Sequence, residues 1–199
     1  AYDSEGIRKA PHMYGWDIAP RLVSAGLWRG VRLETVPAAA FRDVYWATLE
    51  ADPASARARL LLAWDLVPGR REWRGLRLRI RLSRDGETAF ENVRPLFSTH
   101  GKQQIELEKV RLWWPRGAGR PDRYEAELQL LDESGKVLAE NRQRIGVRTI
   151  RLSRTDVTGG PGKGDFSFYV NGRRIYIKGT NWVPLDALHS RDAARLSET

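Results

Sequence analysis

The sequence has no cysteine, one methionine and three scattered histidines in 199 residues. Without cysteine there is no disulfide, no thiolate metal ligand and no cysteine nucleophile, and the redox compartment cannot be read. His12, His100 and His189 show no ligand-like spacing, so no metal and no other cofactor is expected. No run approaches the roughly 20 apolar residues of a membrane span, so no membrane contact is expected. There is no P-loop, no dinucleotide glycine pattern and no Ser-His-Asp order. Gly159-Gly160-Pro161-Gly162 leads into a strand-like run rather than a helix, which argues against a phosphate cradle. The carboxylates Asp156, Asp165 and Asp186 fall in loops, and no two of them form a plausible acid/base dyad.

What the chain does have is arginine. Its 28 arginines and 6 lysines against 25 acidic residues give a net charge of +9. A basic balance can mark a nucleic-acid partner or a solvated surface. Here the arginines alternate with apolar residues, as in Leu76-Arg77-Leu78-Arg79-Ile80-Arg81-Leu82, which is the period-two pattern of a strand with one wet face. No like-charge run or nucleic-acid motif accompanies them, so no nucleic-acid partner is expected.

Period-two runs recur: Leu27–Val36, Val44–Glu50, Ala56–Leu66, Leu76–Leu82, Gln104–Leu107, Tyr124–Leu131, and Lys136–Ile150 with a break near Gly146. Turn residues at Pro68-Gly69, Asp85-Gly86, Pro115–Pro121 and Ser134-Gly135 separate them. About seven short strands without a helical period predict a mainly β fold, an antiparallel β-sandwich over residues 33–150. Residues 1–32 contain too little strand for a domain. Residues 151–199 open with a Gly-rich linker, then place Phe166–Val170 and Arg173–Lys178 around Asn171-Gly172, a strong hairpin signal. A loop follows, then a helical pattern from Asp192 with Ser190 as its candidate N-cap. Strand, polar loop and helix are the opening of a β/α unit, and both flanks read as pieces of something longer.

Four side chains carry candidate chemistry. In Gly15-Trp16-Asp17 the indole can stack on the C–H face of a sugar while the carboxylate accepts hydroxyl hydrogen bonds. From local composition alone the structural reading is favoured, with Trp16 filling a seam between domains and Asp17 pairing Arg21 or capping local backbone. Asn181-Trp182 follows an apolar run and Gly179, so the pair sits at a strand's C-terminal mouth, the face that holds the active site in β/α barrels. A rim-filling Trp182 with Asn181 satisfying loop backbone is the structural alternative. In Trp113-Trp114-Pro115, neighbouring strand residues point to opposite faces, which predicts one tryptophan in the core and one in a domain interface. No catalytic residue is identified in the chain.

The segments Gly26–Leu33, Leu112-Trp113-Trp114-Pro115-Arg116-Gly117, Gly146-Val147-Arg148-Thr149-Ile150 and Phe168–Gly172 through Lys178-Gly179-Thr180-Asn181-Trp182, in this order, resemble glycoside hydrolase family 2. Within it Gly15-Trp16-Asp17, Arg21–Gly26 and Asn181–Asp186 resemble the β-mannosidase branch, whereas the galactosidase and glucuronidase branches usually show a different residue after the Asn. Ile18 stands where a second aromatic is common in that branch. The resemblance implies a mainly β chain: residues 1–32 as the last strands of a jelly-roll sugar-binding-like domain, 33–150 as an immunoglobulin-like sandwich, and 151–199 as linker, hairpin and first strand of a (β/α)8 barrel. It implies a retaining exo-enzyme whose catalytic glutamate pair lies outside this chain. Substrate, a β-mannoside or related oligosaccharide, would then meet Trp16, Asp17, Asn181 and Trp182, and the chain's partner would be the rest of its own barrel. A stand-alone carbohydrate-binding or interaction module and another family 2 β-glycosidase are the competing expectations.

Overall fold

The computed structural model describes residues 9–17, 19–27, 29–155, 164–183 and 185–197, with the backbone alone at His189. Ile18, Trp28, Asp156 and the Gly159–Gly162 run lie outside the described residues. The chain divides into two compact units, Val36–Ile177, and Ala1–Thr35 with Lys178–Thr199.

The larger unit is an antiparallel β-sandwich. One sheet has the order β1-β2-β5, from Ala39–Asp52, Arg57–Pro68 and His100–Leu107. The other has the order β4-β3-β6-β7, from Glu87–Pro95, Arg77–Arg84, Tyr124–Leu131 and Val137–Ile145. Alternation does the sorting. On β2, Ala58, Leu60, Leu62, Trp64 and Leu66 are buried, while β3 buries Leu78, Ile80 and Leu82 and turns Arg77, Arg79 and Arg81 the other way. These side chains join Ile105, Leu128 and Leu130 in one core between the sheets. Tyr124, at the start of β6, is buried and accepts the Arg111 N–H on its hydroxyl at 3.0 Å, which ties the strand to the loop before it. Some outward arginines are partnered across strands, Arg79 with Gln129 and Glu127 and Arg144 with Glu125, on the wet face of the sheet.

A third sheet, β10-β9-β8, is built from Arg173–Ile175, Phe166–Val170 and Ile150–Arg154. The hairpin turns at Asn171 and Gly172 with φ of 49° and 79°, the positive values that a tight two-residue turn needs and that Asn and Gly tolerate. Asn171 also ties the hairpin to the sandwich. Its buried side chain accepts the Thr149 N–H at 2.9 Å and donates to the Trp113 carbonyl at 3.0 Å.

Four expectations need correction, and one strand went unannounced. The run Arg173–Lys178 pairs only as far as Ile175, where the ladder to Phe168 ends, so Asn181 and Trp182 do not stand at the mouth of a strand. Residues 29–37 form no strand, and Leu33 is fully exposed, because among the described residues no neighbour offers the ladder a strand requires. Strand β4 was not foreseen: Glu87, Thr88, Glu91 and Asn92 hide the alternation, and the strand pairs on one side only, with β3. Trp113 and Trp114 do not divide between core and interface. Trp113 sits in an isolated bridge to Pro121 rather than in a strand; both rings are half-buried, under Arg148 at 4.7 Å and Arg173 at 4.5 Å. Ser190 is not an N-cap. It lies inside a 3-10 turn, His189–Arg191, and the helix α1 (Asp192–Leu196) starts from Arg191 without a side-chain cap.

Several loop and surface carboxylates should make the fold acid-sensitive. The Ser134 hydroxyl, with backbone N–H groups of the same turn, holds Asp132 below the ordinary aspartate value. Asp52 is lowered by the Ser55 hydroxyl and the Ala54 N–H, and Glu140 by the Gln129 amide and Arg142. A carboxyl whose folded pKa is depressed adds stability above its unfolded value, about 4, and loses it as pH falls through the folded value. The melting temperature should therefore be lower at pH 3 than at pH 6, and Asp132→Asn should flatten part of that slope in a pH series of thermal melts.

Candidate functional site

The smaller unit holds all four candidate binding residues. Pro11–Tyr14 forms one 3-10 turn whose Met13 is buried, and Gly15, at φ 110°, lets the chain leave it in a direction closed to other residues. Trp16 and Ala19 then exchange both backbone hydrogen bonds, at 3.0 and 3.1 Å. That tight turn puts Asp17 at an exposed tip beside Trp16, which is 63% exposed.

From the other end of the chain come Asn181 and Trp182, both exposed, Trp182 by 64%. The Leu185–Leu188 stretch beyond them is half-buried. Between the two ends lies a cleft of about 250 Å³, walled by Trp16 and Pro20 on one side and by Val183, Leu185, Asp186 and Arg195 on the other. Trp16 thus lines the cleft. Asp17, Asn181 and Trp182 are not among its walls, and stand exposed in the same unit.

Asp186 is a residue the sequence reading set aside. Its side chain is only 10% exposed, and one carboxylate oxygen accepts the Leu188 N–H at 2.8 Å. The other lies 3.5 Å from Arg195 Nε and 3.9 Å from Arg191 Nη1. Arg195 also donates to the Leu185 carbonyl at 2.9 Å. The available signal was local: an Asp whose carboxylate can bond the N–H two residues on, followed by an Arg within the helical pattern. Chemically, the unit exposes two indoles, a carboxylate at a turn tip and an amide, of which only the Trp16 indole lines the cleft. That set suits a neutral polyhydroxylated ring with C–H faces.

The model of the family "Glycosyl hydrolases family 2" matches residues 40–148. Beta-mannosidase B of Aspergillus terreus is 33% identical over 185 residues, 92% of this chain and 21% of that protein. Beta-mannosidase B of Thermothelomyces thermophilus is 31% identical over 191 residues, again 21% of its length. Among solved structures, the beta-D-mannosidase of Dictyoglomus thermophilum superposes with a TM-score of 0.74 at 28% identity, over 92% of this chain and 22% of that one. The beta-glucuronidase of Bifidobacterium dentium, 24% identical over 72% of this chain with a TM-score of 0.56, shares the fold. The chain spans about a fifth of the length of the relatives it matches.

Proposed function

Since the chain belongs to glycosyl hydrolases family 2, we propose that it is the central, non-catalytic portion of a retaining exo-β-mannosidase, supplying sugar-contacting loops to a catalytic barrel. One observation carries this. The alignment with the Aspergillus enzyme covers 92% of the chain, more than the whole unit Val36–Ile177, so it takes in the stretches around the candidate site as well as the sandwich. In this reading residues 1–32 end a jelly-roll domain, 33–150 are the immunoglobulin-like sandwich, and 151–199 open the barrel.

The exposed face of β8–β9 supports a larger whole. The register places Ile150, Leu152 and Phe166, all exposed, on one face with half-buried Phe168 and buried Val170, and Phe166 stands edge-on to Phe168 at 5.8 Å. A sheet face of this kind is what further chain would cover.

The chemistry divides between the parts. Two carboxyl groups about 5–5.5 Å apart, an acid/base and a nucleophile, act through a covalent glycosyl intermediate, and they belong to the barrel beyond this chain. Trp16 and Asp17 hold the terminal ring by stacking and by hydroxyl hydrogen bonds, while Asn181 and Trp182 line the same pocket from the segment that follows β10. Such contacts contribute to rate only so far as they strengthen as the ring distorts toward the transition state. The test is a pair of assays on p-nitrophenyl β-D-mannopyranoside. The full-length protein should release the aryl group with retention at the anomeric carbon, and the 199-residue chain should release none. Turnover by the short chain would overturn the division of labour.

A further inference from the structure

We propose that Asp186 and Arg195 are positioning residues that staple the 181–188 loop and so set where Asn181 and Trp182 meet substrate. The proposal rests on the reading of this unit as a sugar-contacting site.

The geometry points to one function for the pair. Asn181 and Trp182 are exposed and have little packing of their own, so their placement depends on the backbone that follows them. That backbone is held at two points. Asp186 closes a local turn through the Leu188 N–H at 2.8 Å, and Arg195 grips the Leu185 carbonyl at 2.9 Å while its Nε faces the Asp186 carboxylate at 3.5 Å. One guanidinium therefore donates to the loop's main chain through Nη1 while its Nε pairs with the Asp186 carboxylate, a two-sided grip that suits the planar, forked arrangement of its donors. Asp186 is buried enough for water to compete poorly, and Val183 and Leu185 beside it face the cleft that Trp16 closes on the opposite side. Helix α1, too short to stand alone, has its Arg195 engaged with the loop it follows. Arg191, at 3.9 Å and two-thirds exposed, contributes little to the staple.

The experiment uses the full-length protein and two readouts. For Asp186→Ala and Arg195→Met, kcat/KM on p-nitrophenyl β-D-mannopyranoside should fall ten- to a hundredfold, the range open to misplacing a contact by about 1 Å. The loss should enter KM more than kcat. The double variant should be no worse than the poorer single one, and Arg191→Ala should stay within twofold. Amide exchange at Leu188 should quicken at least tenfold in Asp186→Ala, and Asp186→Asn, which keeps an acceptor for that N–H, should restore part of the protection. Single-variant losses that multiply in the double variant, or an Asp186→Ala enzyme within twofold of wild type, would overturn the proposal. Should the wild type prefer another glycoside, the β-mannoside reading fails while the same ratios, taken on the preferred substrate with the Leu188 exchange, still judge the staple.

Discussion

Replacing Asp17 by alanine in the full-length protein should lower kcat/KM for an aryl β-mannoside at least tenfold while leaving the melting temperature unchanged. Asp17 sits at the exposed tip of the Trp16–Ala19 turn, so folding gains little from its carboxylate. A hydrogen bond between a charged group and a sugar hydroxyl is worth about 1.5–3 kcal/mol, and about 1.4 kcal/mol is a factor of ten. Asp17→Asn should fall between, since the amide keeps an acceptor without the charge. Trp16→Ala should cost as much or more, because it removes the stacking surface and opens the cleft that Trp16 lines. Steady-state kinetics beside thermal melts separate the outcomes. Unchanged kinetics with a lowered melting temperature would return Trp16 and Asp17 to a structural role.

The second large effect belongs to the sandwich. Ile80 is fully buried at the middle of β3, between β4 and β6, and belongs to the core that both sheets share. Ile80→Ala should destabilise the unit by about 2–5 kcal/mol, the span for truncating a large aliphatic core residue. For a protein of this size each kcal/mol moves the melting temperature by about 2–4 °C. Its neighbour Arg81 points to the wet face and donates to Thr88 at 3.1 Å. Arg81→Ala should cost less than about 1 kcal/mol, as exposed polar pairs do. Similar losses in the two variants would contradict the register of β3.

Much of this fold was legible because alternation is a loud signal where one face is dry. Tyr124–Leu131 reads as a strand with its observed ends, and Leu76–Leu82 declares its buried and wet faces residue by residue. The hairpin is legible from Asn171-Gly172, since few other pairs tolerate the φ values found there. Signals failed where context decides. Strand β4 exists because β3 offers a ladder, although its own residues are mostly polar. Leu27–Val36 has the alternation but finds no ladder among the described residues. At the candidate site, sequence chemistry marked the open tryptophans and their polar neighbours. It left only a local turn signal at Asp186, and the pairing with Arg195 arises only once the chain returns that side chain to the Leu185 carbonyl.

The central claim, that this chain belongs to an enzyme for terminal β-mannosides, is tested most directly by ranking kcat/KM of the full-length protein across p-nitrophenyl β-D-mannopyranoside, glucopyranoside, galactopyranoside and glucuronide. The mannoside should rank first by at least tenfold. A glucuronide or galactoside ahead of it would contradict the account.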